Sequence, residues 1–599
     1  MTKDTVQDDA RLTGIPVSPG IIIGKARLVD RSRVKILYQY LIDDDRINEE
    51  VQRFKNALET TERQLATLKN RLPDQVKDHG FILDSHSMIL RDSMLRDAAI
   101  RKILDEKINA EWALKKSLEE IRRVFDQIDD GYISSRIDDV ENVIERILRN
   151  LSGDRREDLG EISERVIIVA HDLSPADTTE LNIRRVMGFI TDVGGPTSHT
   201  AILAQALEIP AIMGLEKATG MVRDGDLLIL DGNTGEVIIN PDDRVIIHYQ
   251  EKQLRHDAYK SSIARTSHLP ALTVDGHRIS VQANIEFLEE VAAVRDYGAE
   301  GIGLYRTEFL YLRSREVPGE EELFEDYRQV AEILSPAPVT IRSLDLGGDK
   351  FSSQTDVSRE MNPALGLRAI RFCLREPEIF RSQLRAILRA SAFGNIRFMF
   401  PMISGLQEVI DAKKIVSEVK EELDAEGIDY DPDIKMGIMI EIPSAVTMAD
   451  VLARHVDFFS IGTNDLIQYG LGIDRINEHV AYMYQPFHPA VLRMIRQVVR
   501  AARDAGIGLS LCGEMAGDPL CTPILLGLGV DDFSMNPRAI PLIKTIIRSL
   551  TMEEARADFE TVMGLSTARE VRTYLWERVK KLLPELERNR FLDQKVAGG

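Results

Sequence analysis

The segment Gly194-Gly195-Pro196-Thr197-Ser198-His199-Thr200 sets a histidine where a phosphoryl group could be handled. The apolar run Val186 to Ile190 ahead of it reads as a buried strand, and Thr197 to Leu207 reads as a helix. The paired glycines permit a sharp turn, and Thr197 and Ser198 are good helix N-caps. His199 then lies in a first helical turn, where unpaired N–H groups and the dipole favour anions and disfavour imidazolium. Its ring stays neutral and nucleophilic near pH 7. Taken alone, such a histidine is more often structural or solvated.

A second set is scattered through the later half: Arg306, Arg342, Glu441, Asn464, Asp465 and Cys512, with Arg475 and Arg368 as further cations. Several arginines suit a small polyanion through forked hydrogen bonds. Glu441 and Asp465 supply two hard oxygens, too few for a calcium cage but typical of magnesium, whose other ligands are substrate and water. Salt bridges to the arginines are the competing reading of those two carboxylates. A free thiol such as Cys512 is by default a packing residue.

The surrounding pattern decides between these readings. From Val274 onward, short apolar runs alternate with helical stretches, with strands near Ile279–Ala283, Gly301–Tyr305, Val339–Ile341, Ile396–Phe400, Met436–Ile440, Phe458–Ile461, Leu509–Leu511 and Asp532–Ser534. Eight such strands predict a (β/α)8 barrel of the TIM type. Arg306 follows the second strand, Arg342 the third, Glu441 the fifth, Asn464 and Asp465 the sixth, and Cys512 the seventh. A barrel gathers these strand ends on one rim, where barrel enzymes carry their active sites.

The first half reads as an α/β domain interrupted by helices. Strand-like text covers Leu12 to Asp30 and returns at Val166–Ala170, and Asp231-Gly232-Asn233-Thr234-Gly235 is a hairpin signature. Between them, Ile47, Val51, Phe54, Leu58, Leu65, Leu68 and Leu72 form one apolar stripe on a long helix. Segments from Asp84, Ala110–Ile128 and Ile137–Leu151 complete an expected four-helix bundle. Ser174-Pro175-Ala176-Asp177 reads as a further helix start. The expected domains are 1–30 with 151–240 (α/β), 31–150 (helical insertion), 241–270 (linker helix) and 271–585 (barrel). The bundle is open to two readings, a docking module or a spacer.

Composition narrows the class. A formal net charge of −21 argues against a nucleic-acid binder. Three cysteines cannot make a disulfide framework and suggest a reducing compartment. Met1 to Ala10 is polar and acidic, unlike a signal peptide, and no apolar run reaches the length of a membrane span. These features lead to the expectation of a cytoplasmic protein without membrane insertion.

With these residues in view, the chain closely resembles Enzyme I of the bacterial phosphotransferase system, the phosphoenolpyruvate–protein phosphotransferases. The resemblance runs nearly end to end. It rests on Gly14 to Ala26, Gly194 to Thr200, Gly301 to Glu308, Leu344 to Lys350, Asn362 to Arg368, Gly437 to Pro443, Ser460 to Leu466 and Cys512 to Asp518. It implies that His199 is the phosphorylated histidine and Cys512 the proton donor to enolpyruvate. Arg306, Arg342, Asn464, Asp465 and Arg475 would bind phosphoenolpyruvate, with Glu441 and Asp465 on Mg2+. The bundle would dock the phosphocarrier HPr, or a paralogue of it, and the barrel would form a homodimer. Pro196 departs from the family, which usually has arginine there.

Pyruvate phosphate dikinase and phosphoenolpyruvate synthase resemble the same α/β domain and barrel but need an ATP-binding domain ahead of the histidine, for which the bundle leaves no room. The nitrogen-related branch usually carries an N-terminal sensory domain that residues 1–11 cannot hold. A binding-only pseudoenzyme would be expected to have lost some of the histidine, cysteine, metal or arginine positions, and all are present.

Overall fold

The computed structural model describes residues 10–29, 40–43, 46–71, 81–125, 131–152, 164–173, 185–195, 200–201, 204, 209–313, 317–347, 362–475, 477 and 479–584. The chain divides into two compact units, the boundary falling between Asp257 and Ala258, inside the helix Asp243–Thr266.

The first unit contains an eight-stranded mixed sheet. Its strands are β1 (Ala10–Thr13), β2 (Ile15–Ser18), β3 (Ile21–Val29), β4 (Val166–Ala170), β5 (Val186–Thr191), β6 (Ala211–Met213), β7 (Leu227–Asp231) and β8 (Glu236–Ile239), in the order β1-β8-β7-β3-β4-β5-β6-β2. The three N-terminal strands therefore find their partners more than 130 residues later, which makes the helices between β3 and β4 an insertion. β4 runs parallel to both β3 and β5, and all five of its residues are buried. A strand covered on both faces reads as a continuous apolar run, here Val-Ile-Ile-Val-Ala. β7 and β8 form the hairpin, its turn closed by Gly235 N–H donating to Asp231 O at 2.9 Å, with Gly235 at φ 75°.

Among the described residues the insertion has five helices rather than four: α1 (Ile47–Arg71), α2 (Phe81–Arg91), α3 (Ser93–Glu106), α4 (Ala110–Phe125) and α5 (Gly131–Ser152). The expected second segment is split at Asp92, whose carbonyl accepts the first N–H groups of α3, from Leu95 at 3.3 Å and Arg96 at 3.0 Å. Aspartate favours such a helix start over a helix interior. Phe54, Leu58 and Leu65 of the α1 stripe are buried in a core with Ile103, Leu114 and Ile147. The side chain of Leu68, and Leu72, lie outside the described residues, as do Ser174 to Asp177. Glu50 accepts from the first N–H of α4, Ala110, at 2.8 Å, while Arg53 bridges Glu50 and Glu111 at 2.7 Å each. That ionic clasp joins α1 to α4.

The second unit is a closed barrel. Eight parallel strands, β10 (Arg278–Ile285), β11 (Ile302–Arg306), β12 (Val339–Arg342), β13 (Ile396–Phe400), β14 (Lys435–Ile440), β15 (Phe458–Ile461), β16 (Gly508–Leu511) and β17 (Asp532–Met535), pair in sequence order, and β10 closes the ring by pairing with both β11 and β17. A short β9 (Ala271–Leu272) adds antiparallel to β10. Lys544, 1 % exposed, ties the chain after helix Asp243–Thr266 to this barrel. Its ammonium donates to the carbonyls of Ser267 (2.9 Å), Leu269 (3.2 Å) and Gly298 (2.6 Å). Among the described residues no helix is long and apolar enough to cross a membrane.

Candidate active site

The barrel brings its strand ends together on one rim. β11 ends in Arg306 and β12 in Arg342, and the two are register partners. Arg306 donates to Glu286, just past β10, at 2.7 Å. Arg342 is buried, paired with Glu308 and, at 3.1 Å, with Asp345. Its Nε, and Oε2 of Glu308, have no hydrogen-bond partner among the described residues. Buried polar atoms are rarely left so, which makes this spot a candidate for contact with a ligand or water.

Asp345 links two of the cations. It accepts from Arg368 at 2.8 Å, and Arg368 also stands 4.0 Å from Asp465. Burial by itself would raise the Asp345 pKa, yet the Arg342 and Arg368 guanidiniums hold it below the ordinary carboxylate value. Arg368 reaches this position through an antiparallel bridge between Gly347 and Arg368.

Glu441 follows β14 and is 1 % exposed. Its Oε1 accepts the Met402 N–H at 2.6 Å, where Met402 is itself in the left-handed region at φ 58°. A Cβ on Gly462 would lie 2.6 Å from the other oxygen, so any larger residue there would displace this carboxylate. Burial, then the charges of Asp465 and Asp345, push the Glu441 pKa up to about 8. Asp465 sits in the first turn of helix Thr463–Leu471, directly after β15. Two crowded carboxylates of which one is deeply buried are a donor set that a divalent cation would relieve. Among the described residues no cluster of three or more His, Cys, Asp or Glu could hold a metal.

Asn464, beside Asp465, exchanges hydrogen bonds with Glu514. Its Nδ2 donates to Oε1 at 3.1 Å, and the Glu514 N–H donates to its Oδ1 at 3.0 Å. Tyr484 donates to the same Oδ1 at 3.5 Å. Arg475 is exposed, and its charge acts on Tyr484. Cys512 follows β16, 2 % exposed, its Sγ 3.6 Å from Ile461 O. Burial raises its pKa to about 11 against the opposing pull of the Ser460 hydroxyl and of Arg342 and Arg306, so the thiol keeps its proton at neutral pH. Asn284 fixes the Cys512 carbonyl at 3.0 Å.

The rim thus gathers Arg306, Arg342, Glu441, Asp465 and Cys512, with Arg368 joining through Asp345. Asn464 and Arg475 stand on its Tyr484–Glu514 side. Glu286, Glu308, Asn284 and Asp345 were given no role from sequence, although Glu308 closes the Gly301–Glu308 motif and Asp345 lies within the Leu344–Lys350 motif. His199, with Pro196, Thr197 and Ser198, lies outside the described residues. Around it, β5 leads into Gly194 at φ 111°, and Thr200 is helical and buried, donating to Leu173 O.

Three family models match the chain in succession: the PEP-utilising enzyme N-terminal model over residues 13–136, the mobile-domain model over 162–235 and the PEP-binding-domain model over 260–552. Phosphoenolpyruvate-protein phosphotransferases from Bacillus sp. (strain S) and Bacillus subtilis are each 43% identical, over 94% and 95% of this chain and 97% and 100% of theirs. The protein of that name from Haemophilus influenzae is 42% identical over 94% of this chain and 97% of its own. With an α/β domain and its helical insertion followed in sequence by a closed parallel barrel, and with relatives matching over 94% and 95% of its length, the chain belongs to the phosphoenolpyruvate-protein phosphotransferases, a family of PEP-utilising enzymes.

Proposed function

We propose that this phosphotransferase moves the phosphoryl group of phosphoenolpyruvate to its own His199 and then to the phosphocarrier HPr or a paralogue, releasing pyruvate in the cytoplasm. The observation that carries the reading is the convergence of Arg306, Arg342 and Arg368 with Glu441, Asp465 and Cys512 on one barrel rim. Phosphoryl transfer needs mainly positioning and charge neutralisation, and three guanidiniums, with Arg342 Nε and Glu308 Oε2 buried and without a hydrogen-bond partner among the described residues, favour both.

Arg306 and Arg342 bind the phosphate and carboxylate oxygens, with Asn464 and Arg475 closing the far side. Glu441 and Asp465 would hold Mg2+, which supplies charge neutralisation on the phosphoryl oxygens when bound. The bond between phosphorus and the enol oxygen breaks as one forms to the His199 imidazole. The enolpyruvate left behind takes a proton at its methylene carbon from the Cys512 Sγ, and solvent restores the thiol. The inserted bundle docks the carrier, residues 1–30 and 151–240 carry the phosphohistidine, and the barrel, 271–585, forms a homodimer. The helix within 241–270 connects the two halves.

The test is a chase. Protein labelled with radioactive phosphoenolpyruvate should lose its label to added HPr, with pyruvate formed in equal amount during labelling. Label that stays on the chain rules out the carrier step.

A further inference from the structure

The lower end of the barrel, where the strands begin, holds a cavity of about 470 Å³. That volume lies within the usual range for small-molecule sites. Arg397 is the second residue of β13, and Phe458 and Asp532 open β15 and β17, so this face is opposite the rim of Glu441 and Cys512. Helix Pro489–Ala505 contributes Val499 and Arg503 from outside. Polar residues at this end of a barrel ordinarily serve stability.

Most of the charge there is already matched. Arg397 donates to Thr340 at 2.5 Å, Gln282 at 3.2 Å and Asp532 at 3.3 Å, and its guanidinium lies 5.2 Å from the centre of the Phe458 ring. Asp532 also accepts from Gln282 at 2.8 Å. Asp531 is 2.9 Å from His277. Arg503 has no carboxylate partner among the described residues. Its guanidinium occupies the space above Gly529, where a Cβ would come within 2.2 Å of Nη2, and both residues line the cavity. Of the remaining wall, Phe458, Val499, Ala502, Ile507 and Leu509 are apolar, and the Ser510 hydroxyl already donates to Phe459 O at 3.5 Å.

One unmatched cation, an apolar wall and two aspartates nearby select a ligand with a single negative charge and a hydrocarbon body. A phosphate or dicarboxylate would bring a second charge beside Asp531, whose partner is a histidine rather than an arginine or lysine. We propose that this cavity binds a small aliphatic monocarboxylate, its carboxylate on Arg503 and its chain against Phe458, Val499 and Leu509. The site is separate from the phosphoenolpyruvate rim and does not depend on the function assigned there.

The test is a titration of the full-length chain, methyl-labelled at Ile, Leu and Val, with 4-methylpentanoate. The methyls of Val499, Ile507 and Leu509 should shift and saturate with a Kd of about 1 mM or tighter. Arg503→Gln, a change at an exposed side chain, should weaken binding at least about tenfold through loss of a charge-assisted contact. The primary amide of the same acid, and inorganic phosphate, should leave these methyls unmoved. Silent methyls, shifts confined to rim residues such as Leu466, equal binding of the amide or of phosphate, or an unchanged Kd in Arg503→Gln would each overturn the proposal.

Discussion

Glu441→Gln separates the metal role proposed for Glu441 from the effect of its burial. In the metal-free protein its pKa rises from 4.5 to about 8, chiefly through burial, then through repulsion from Asp465 and Asp345. The folded state therefore holds the Glu441 proton more tightly than the unfolded chain does. This contribution to stability is fully present below pH 4.5 and is lost as pH rises through about 8. At 1.36 kcal/mol per pKa unit, the penalty for the buried anion at pH 9 is on the order of 4–5 kcal/mol. Glutamine carries no charge and fills nearly the same volume, so without metal Glu441→Gln should be more stable than the parent at pH 9, by several degrees in calorimetry. The gap should close below pH 5. Added magnesium should reverse the order at pH 8, because a ligand stabilises only the form that binds it. A stability gap that ignores pH, or an equal magnesium response from both proteins, would refute the reasoning about this carboxylate.

Gly462→Ala would place a methyl 2.6 Å from a Glu441 oxygen whose partner oxygen is pinned by Met402 N–H, and should lower phosphoenolpyruvate-dependent labelling at fixed magnesium at least about tenfold; parental labelling would mean the pair is free to move. Cys512→Ser should still bind phosphoenolpyruvate, but turnover should fall by about 10²–10⁴. Pyruvate formed in heavy water should also lose its facial preference, and stereospecific deuteration at parental turnover would remove the thiol from the reaction. Lys544→Met strands three carbonyls that one ammonium now satisfies, which should cost the barrel about 3 kcal/mol or more. An unchanged calorimetric midpoint would show that water takes over those bonds.

Much of the barrel was legible because each strand is a short apolar run followed at once by a polar residue, and closure puts all such residues on one rim. What stayed hidden depends on contacts between distant positions. Asp345 gains its place between two arginines only because Gly347 bridges to Arg368, 21 residues along. Asn284 holds the Cys512 carbonyl across 228 residues of sequence, with no local pattern to mark it. Gly462 and Gly513 were visible as letters in motifs. Their necessity comes from what a Cβ would strike, Glu441 in one case and Thr463 in the other. In the bundle, hydrophobic spacing marked the α1 stripe, whereas the one segment expected from Asp84 is two helices, α2 and α3, parted at Asp92.

Transfer of the phosphoryl group from phosphoenolpyruvate to His199 is the step on which the proposed reaction rests. Incubating the full chain with radioactive phosphoenolpyruvate and magnesium, then mapping the labelled peptide, tests it most directly. An acid-labile, base-stable label is expected on the peptide containing His199, and none in His199→Ala. Label on another residue, or label of the same chemistry persisting in His199→Ala, would contradict it.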